Sequence, residues 1–160
     1  MAGNHTIEVT LNGSNVELEA AAHETLLEVL RREQLHGCRE SCGQGVCGTC
    51  TVLVDGKTAA SCIMLAHLAN GSIIETVEGL GVPGNLSPVQ EAFVTEAGLQ
   101  CGFCTPGMVL STTQLLRERP TPTDDDIAHY LAGNICRCGA YPEILKAVHR
   151  AAAALRAATN

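Results

Sequence analysis

Cys42, Cys47 and Cys50 stand in C-x4-C-x2-C spacing, with Cys62 twelve positions further along the chain. This is the plant-type spacing by which four thiolates hold a [2Fe–2S] core. The intervening glycines in "CGQGVCGTC" have a physical job. A backbone wrapped closely around an inorganic core needs residues that accept φ > 0 and leave space, as Gly43, Gly45 and Gly48 can. Four thiolates, two sulfides and two ferric ions carry a formal charge of about −2, so inward-pointing amide N–H groups would stabilise them as well.

A second set consists of Cys101-x2-Cys104, in "CGFC", and Cys136-x-Cys138, in "CRCG". Both pairs immediately precede segments that read as helices. Helix N-termini offer unpaired N–H groups and a positive dipole end, which should lower thiol pKa values and favour an anionic cluster. Structural zinc also accepts four cysteines, but it prefers C-x2-4-C pairs and usually lacks a C-x-C arm. A Rieske centre needs two histidine ligands, and none of His5, His23, His36, His67, His129 or His149 falls in either motif. The ninth cysteine, Cys38, is either an unligated thiol or a substitute for one of its neighbours.

The elements that must position these thiols change character along the chain. "TIEVTLNG" and "NVELEA" alternate Ile7, Val9, Leu11, Val16 and Leu18 inward across an Asn12-Gly13 turn, which predicts a β-hairpin. Thr25 and Glu28 form a capping box for a helix that should end near Gly37. Val52 and Val54 lead into an Asp55-Gly56 turn with a returning strand, and "GSIIETV" supplies one more. The result is a small mixed sheet with one crossing helix over residues 1–78. The Gly- and Pro-rich stretch 79–88 reads as a linker. Over 89–160 the signals are helical. Ser87, Pro88 and Gln90 open a helix that should stop near Gly98. Thr105-Pro106 opens one halted by Pro120, Thr123 and Asp126 cap a third closed by Gly133, and Tyr141-Pro142 opens the last. Four helices with short joints imply a small bundle.

Composition narrows the function. With 46% hydrophobic and 17% charged residues the chain is an ordinary globular one, and a net charge of −7 excludes a phosphate-backbone binder. No apolar run reaches the roughly 18–20 residues of a membrane span, and the first residues lack a secretory signal. A cytoplasmic location follows as the expectation, where cysteines serve as metal ligands or redox centres rather than disulfides. Two Phe, two Tyr and no Trp leave the core to aliphatic side chains, which suggests that a cofactor fills part of the interior.

"CGQGVCGTCTVLVDGKTAASC", "QCGFCTPGM" and "NICRCGAYPEI" together closely resemble the small iron–sulfur subunit of molybdenum hydroxylases, the xanthine dehydrogenase and aldehyde oxidoreductase group. The likeness covers nearly the whole chain. It implies an α+β protein: an N-terminal β-grasp, plant-type ferredoxin-like domain followed by an all-α four-helix-bundle [2Fe–2S] domain. Carried over residue by residue, Cys42, Cys47, Cys50 and Cys62 would ligate the first cluster, and Cys101, Cys104, Cys136 and Cys138 the second. Gln100 and Cys138 would lie near the molybdopterin of a large partner subunit. Electrons would pass from that molybdenum centre through both clusters to an FAD subunit or another acceptor, in a dimer of heterotrimers. The alternative is a free-standing two-cluster ferredoxin. Cys38 departs from the family pattern and adds a thiol that could be oxidised if exposed.

Overall fold

The computed structural model describes residues 4–159. Strands β1 (Asn4–Leu11) and β2 (Ser14–Ala21) form the expected hairpin, with Ile7 opposite Leu18 and Val9 opposite Val16. Asn12 and Gly13 both have positive φ, 50° and 84°, as a type I′ turn requires. Helix α1 (Leu26–Arg32) crosses the sheet and buries Leu26, Leu27, Val29 and Leu30; both halves of its Thr25/Glu28 capping box are made. It ends before Gly37 because Gln34, at φ 65°, already takes the left-handed turn. Gly37 has a different role, since a Cβ there would lie 2.3 Å from Val77 Cγ1.

Strands β3 (Thr51–Val54) and β4 (Lys57–Ala60) flank the Asp55-Gly56 turn, and β5 (Ile73–Glu75) enters between β1 and β3. The sheet order is β2-β1-β5-β3-β4, with β1 and β5 parallel and the other pairs antiparallel. A mixed sheet grasping one helix is the β-grasp arrangement. Cys38, Cys50 and Cys62 belong to its core alongside Leu18, Leu30, Val52 and Ile74.

Helix α2 (Pro88–Thr95) starts at a complete Ser87/Gln90 capping box and stops where Ala97 turns left-handed, φ 50°. Helices α3 (Thr105–Glu118), α4 (Asp124–Tyr130, continued by a 3-10 turn to Gly133) and α5 (Tyr141–Thr159) complete the bundle. Its core is a second, separate cluster. Phe93 and Ala92 of α2 meet Ile144, Ala147, Val148 and Ala151 of α5, with Met108 and Leu115 of α3 beneath. Val77 and Leu80, just before the linker, pack on this helical core rather than on the sheet. Among the described residues no helix is long and apolar enough to cross a membrane.

Candidate metal centres

The loop between α1 and β3 gathers the first set of thiols. Gly43, Gly45 and Gly48 sit at φ 62°, 71° and 70°, so at each of these positions the backbone turns as only glycine does readily. The turns aim amides inward. The N–H of Gln44 lies 3.4 Å from Cys42 Sγ, and those of Cys47 and Val46 also point to it. These donors, with the Cys47 thiol, bring the Cys42 thiol down to about 6. Cys50 and Cys62 form the inner pair, buried at the sheet edge, where desolvation and then the Cys50 thiol push Cys62 up to about 11.

The second set converges although 31 residues separate its two halves. Cys104 occupies the N-cap position of α3 without a side-chain capping bond, and Cys136 and Cys138 lie in the segment before α5. The exposed Cys101 thiol is held below its ordinary value by the Phe103 N–H and then by the neighbouring, likewise exposed Cys138 thiol. Cys104 and Cys136 form the buried pair. The sequence expectation that helix N-termini lower these thiols fails at Cys104. Burial and then Cys136 push Cys104 up to about 12, outweighing its place at the helix start. At Cys136 burial also opposes ionisation, but the N–H groups of Ala140, Cys138 and Gly139 and the Cys104 thiol bring the net shift down. The Cys136 amide donates to Tyr141 Oη at 2.9 Å, so the tyrosine braces this turn from the first residue of α5.

In both sites the thiols pair two by two, an outer pair toward solvent and an inner pair in a core. Two thiolates per iron is the coordination a [2Fe–2S] core requires, and inward amides suit its negative charge, so these donors fit the group. Among the described residues, no three His, Cys, Asp or Glu side chains are grouped as ligands of one ion.

Between the two sites runs a seam that sequence reading did not anticipate. The Ile135 N–H donates to the Cys47 carbonyl at 2.9 Å, joining the residue before Cys136 to the first loop. Asn134, only 6% exposed, donates to the Gly48 carbonyl at 2.9 Å and to Thr51 Oγ1 at 3.2 Å, and accepts from Ser111 Oγ at 2.9 Å. Gly48 and Gly107 make this approach possible. A Cβ on Gly107 would lie 2.2 Å from the Gly48 carbonyl oxygen, and one on Gly48 would lie 2.4 Å from that of Gly133. The available signal was a polar Asn two residues before Cys136, buried while its neighbours Gly133 and Ile135 are exposed.

Cys38 is buried, 1% exposed, with its sulfur 3.0 Å from Ser61 Oγ and 3.5 Å from the Cys50 carbonyl. Burial pushes its thiol up to about 12, so it is neither the accessible nor the ionised thiol that oxidation favours. Gln100 is exposed, next to the exposed Cys101.

Comparison with known proteins bears on both halves. Residues 9–72 match the family described as 2Fe-2S iron-sulfur cluster binding domain, and residues 76–149 match the [2Fe-2S] binding domain. The xanthine dehydrogenase iron-sulfur-binding subunit of Escherichia coli O157:H7 is 45% identical over 146 residues, covering 89% of this chain and 91% of that one. Nicotine 6-hydroxylase small subunit of Paenarthrobacter nicotinovorans is 46% identical over 143 residues, with 89% and 86% covered. Among solved structures, quinoline 2-oxidoreductase from Pseudomonas putida 86 superposes with a TM-score of 0.91 at 39% identity, 96% of each chain being covered. The aldehyde oxidoreductase of Desulfovibrio gigas gives 0.92 at 38% identity; 96% of this chain matches only 17% of that larger one.

A β-grasp domain and a helical domain, each of a [2Fe–2S]-binding type, define an iron–sulfur electron-transfer protein. More particularly, the chain belongs to the iron–sulfur subunits of the molybdenum hydroxylases, the xanthine dehydrogenase and aldehyde oxidoreductase group.

Proposed function

We propose that this chain is the relay between a large molybdopterin-binding subunit and an FAD subunit or other acceptor, with Cys42, Cys47, Cys50 and Cys62 holding one cluster and Cys101, Cys104, Cys136 and Cys138 the other. Each [2Fe–2S] core, when bound, supplies one-electron chemistry, which divides the two-electron oxidation carried out at a molybdenum centre. The chain's own part is to hold the two sites at fixed spacing and to join them. The observation that carries this reading is the hydrogen bond from the Ile135 N–H to the Cys47 carbonyl, which connects one proposed ligand backbone to the neighbour of another at 2.9 Å. A covalent and hydrogen-bonded route couples donor and acceptor better than a gap through space.

The outer thiol pairs support a reading of the two exits. Cys101 and Cys138 are exposed beside Gln100, Phe103 and Tyr141, an edge suited to the molybdopterin-binding partner. Cys42 and Cys47 lie beside the exposed Val46, an edge suited to the acceptor. The domain division falls at 79–88, the assembly is a dimer of heterotrimers, and the site of action is the cytoplasm. Purification of the untagged chain from its native host tests this reading. About four irons per chain, two distinct EPR signals on reduction and co-elution with two larger chains are expected. Zinc in place of iron, or a chain that elutes alone with its full iron content, would overturn it.

A further inference from the structure

Arg39 lies in the first domain, three residues before Cys42, yet its side chain serves the second. Its backbone is locked to the first loop from both sides. The Arg39 N–H donates to the Thr49 carbonyl at 3.2 Å, and Thr49 Oγ1 donates to the Arg39 carbonyl at 3.0 Å. The guanidinium then crosses the seam. Its Nη1 donates to the Gly102 carbonyl, inside "CGFC", at 2.5 Å, and its carbon stands 5.4 Å from the centroid of the Phe103 ring. Among the described residues no carboxylate pairs with Arg39, whereas Arg32, Arg117, Arg119 and Arg150 each have an acidic partner. Its positive charge therefore has no ion-pair partner among the described residues and rests, half-buried, on the two residues that separate Cys101 from Cys104 in the chain.

We propose that Arg39 is a positioning residue that clamps the "CGFC" loop from across the domain seam and raises the reduction potential of the second cluster relative to the first. The inference rests on Cys101, Cys104, Cys136 and Cys138 holding that cluster. Reduction adds one electron and hence one negative charge to an already anionic core, so a fixed cation beside it stabilises the reduced form. Arginine suits the task better than lysine, because the planar fork can bond a carbonyl while its face lies on an aromatic ring.

EPR-monitored redox titration of the assembled holoenzyme tests this, comparing wild type with Arg39→Gln and Arg39→Lys, the first cluster serving as the internal reference. Arg39→Gln should shift the intercluster electron partition about tenfold away from the second cluster, a fall of about 59 mV for a one-electron couple. Arg39→Lys, which keeps the charge, should recover most of that difference. Equal potentials in wild type and Arg39→Gln, equal shifts of both clusters, or the same shift in the Lys and Gln variants would overturn the inference. If Arg39→Gln loses the second cluster, Arg39→Lys decides: retention of iron and potential supports a role for charge, and loss of both refutes it. A wild-type holoenzyme with fewer than two signals would instead defeat the ligand assignment.

Discussion

The two thiol sites reach similar chemistry by different constructions. In the first, Cys42, Cys47 and Cys50 share one short loop, whose own backbone shapes the site through positive φ at Gly43, Gly45 and Gly48 and amides aimed at Cys42. In the second, the halves are brought together by the packing of α2, α3 and α5 around Phe93. A local site survives damage to a distant core, whereas an assembled site is as stable as the helices that assemble it. The difference in construction therefore predicts a difference in vulnerability.

Ligand substitution should give the largest effect and separate the two sites cleanly. Cys42→Ser is expected to reduce iron from about four to about two per chain and to remove one EPR signal while the other persists. Cys104→Ser should remove the other signal and, because Cys104 is part of the helical core, should also lower the melting temperature. A Cys42→Ser chain with full iron and both signals would show that the first site is misassigned. Next in size is Phe93→Ala. Phe93 is 1% exposed at the meeting of α2 and α5, so its loss should cost about 3–5 kcal/mol. Chemical denaturation followed at each cluster's visible and EPR signature should show the second site failing before the first. Simultaneous loss would mean that the two halves unfold as one unit and that the contrast in construction has no consequence.

Both cysteine sets were legible as spacing, and the local one also in its loop geometry. Spacing singled out Cys42, Cys47, Cys50 and Cys62, and the glycines between them turn as their composition suggests, because a tight loop is determined by residues near in sequence. Capping boxes at Thr25, Ser87 and Thr123 placed three helix starts to the residue. Helix ends were less legible. Gln34 and Ala97 take left-handed conformations that their side chains do not advertise, and so end α1 before Gly37 and α2 just before Gly98. What sequence could not show was the seam. Arg39 reaches a carbonyl 63 positions away, Asn134 one 86 positions away, and Gly107 abuts a glycine of the other domain. The raised Cys104 thiol has the same cause: position at a helix start is local, but burial is set by the whole core.

The seam can be tested against the loop with two glycines. Gly107 occupies the first turn of α3, where helix propensity alone would favour alanine by about 1 kcal/mol. Its Cβ would meet the Gly48 carbonyl oxygen at 2.2 Å, and that oxygen is main chain and already accepts from Asn134. Gly107→Ala is therefore expected to destabilise by about 1–3 kcal/mol and to slow electron exchange between the sites. Gly43→Ala meets nothing within 4 Å and carries only the strain of φ 62°, about 1 kcal/mol, with exchange unchanged. A Gly107→Ala chain more stable than wild type would mean that the domains can part without cost.

The smallest expected effect belongs to the ion pair elsewhere on the same boundary, where Arg117 of α3 grips Glu75 of β5 through two hydrogen bonds of 2.7 and 2.8 Å. Arg117 holds the Glu75 carboxyl below its ordinary value, against partial burial that raises it. A carboxylate with a lowered folded pKa adds stability above its unfolded value near 4.3 and loses it only as pH falls through the folded one. Arg117 is 45% exposed, so solvent screening limits the pair to about 0.5–1 kcal/mol. The melting temperature of wild type should exceed that of Glu75→Gln by a constant margin from about pH 8 to 5, with part of the margin surviving at about pH 4.5. No margin at any pH would mean that the carboxylate titrates as a free one, leaving Asn134 and the paired glycines as the bonds that keep the two sites in register.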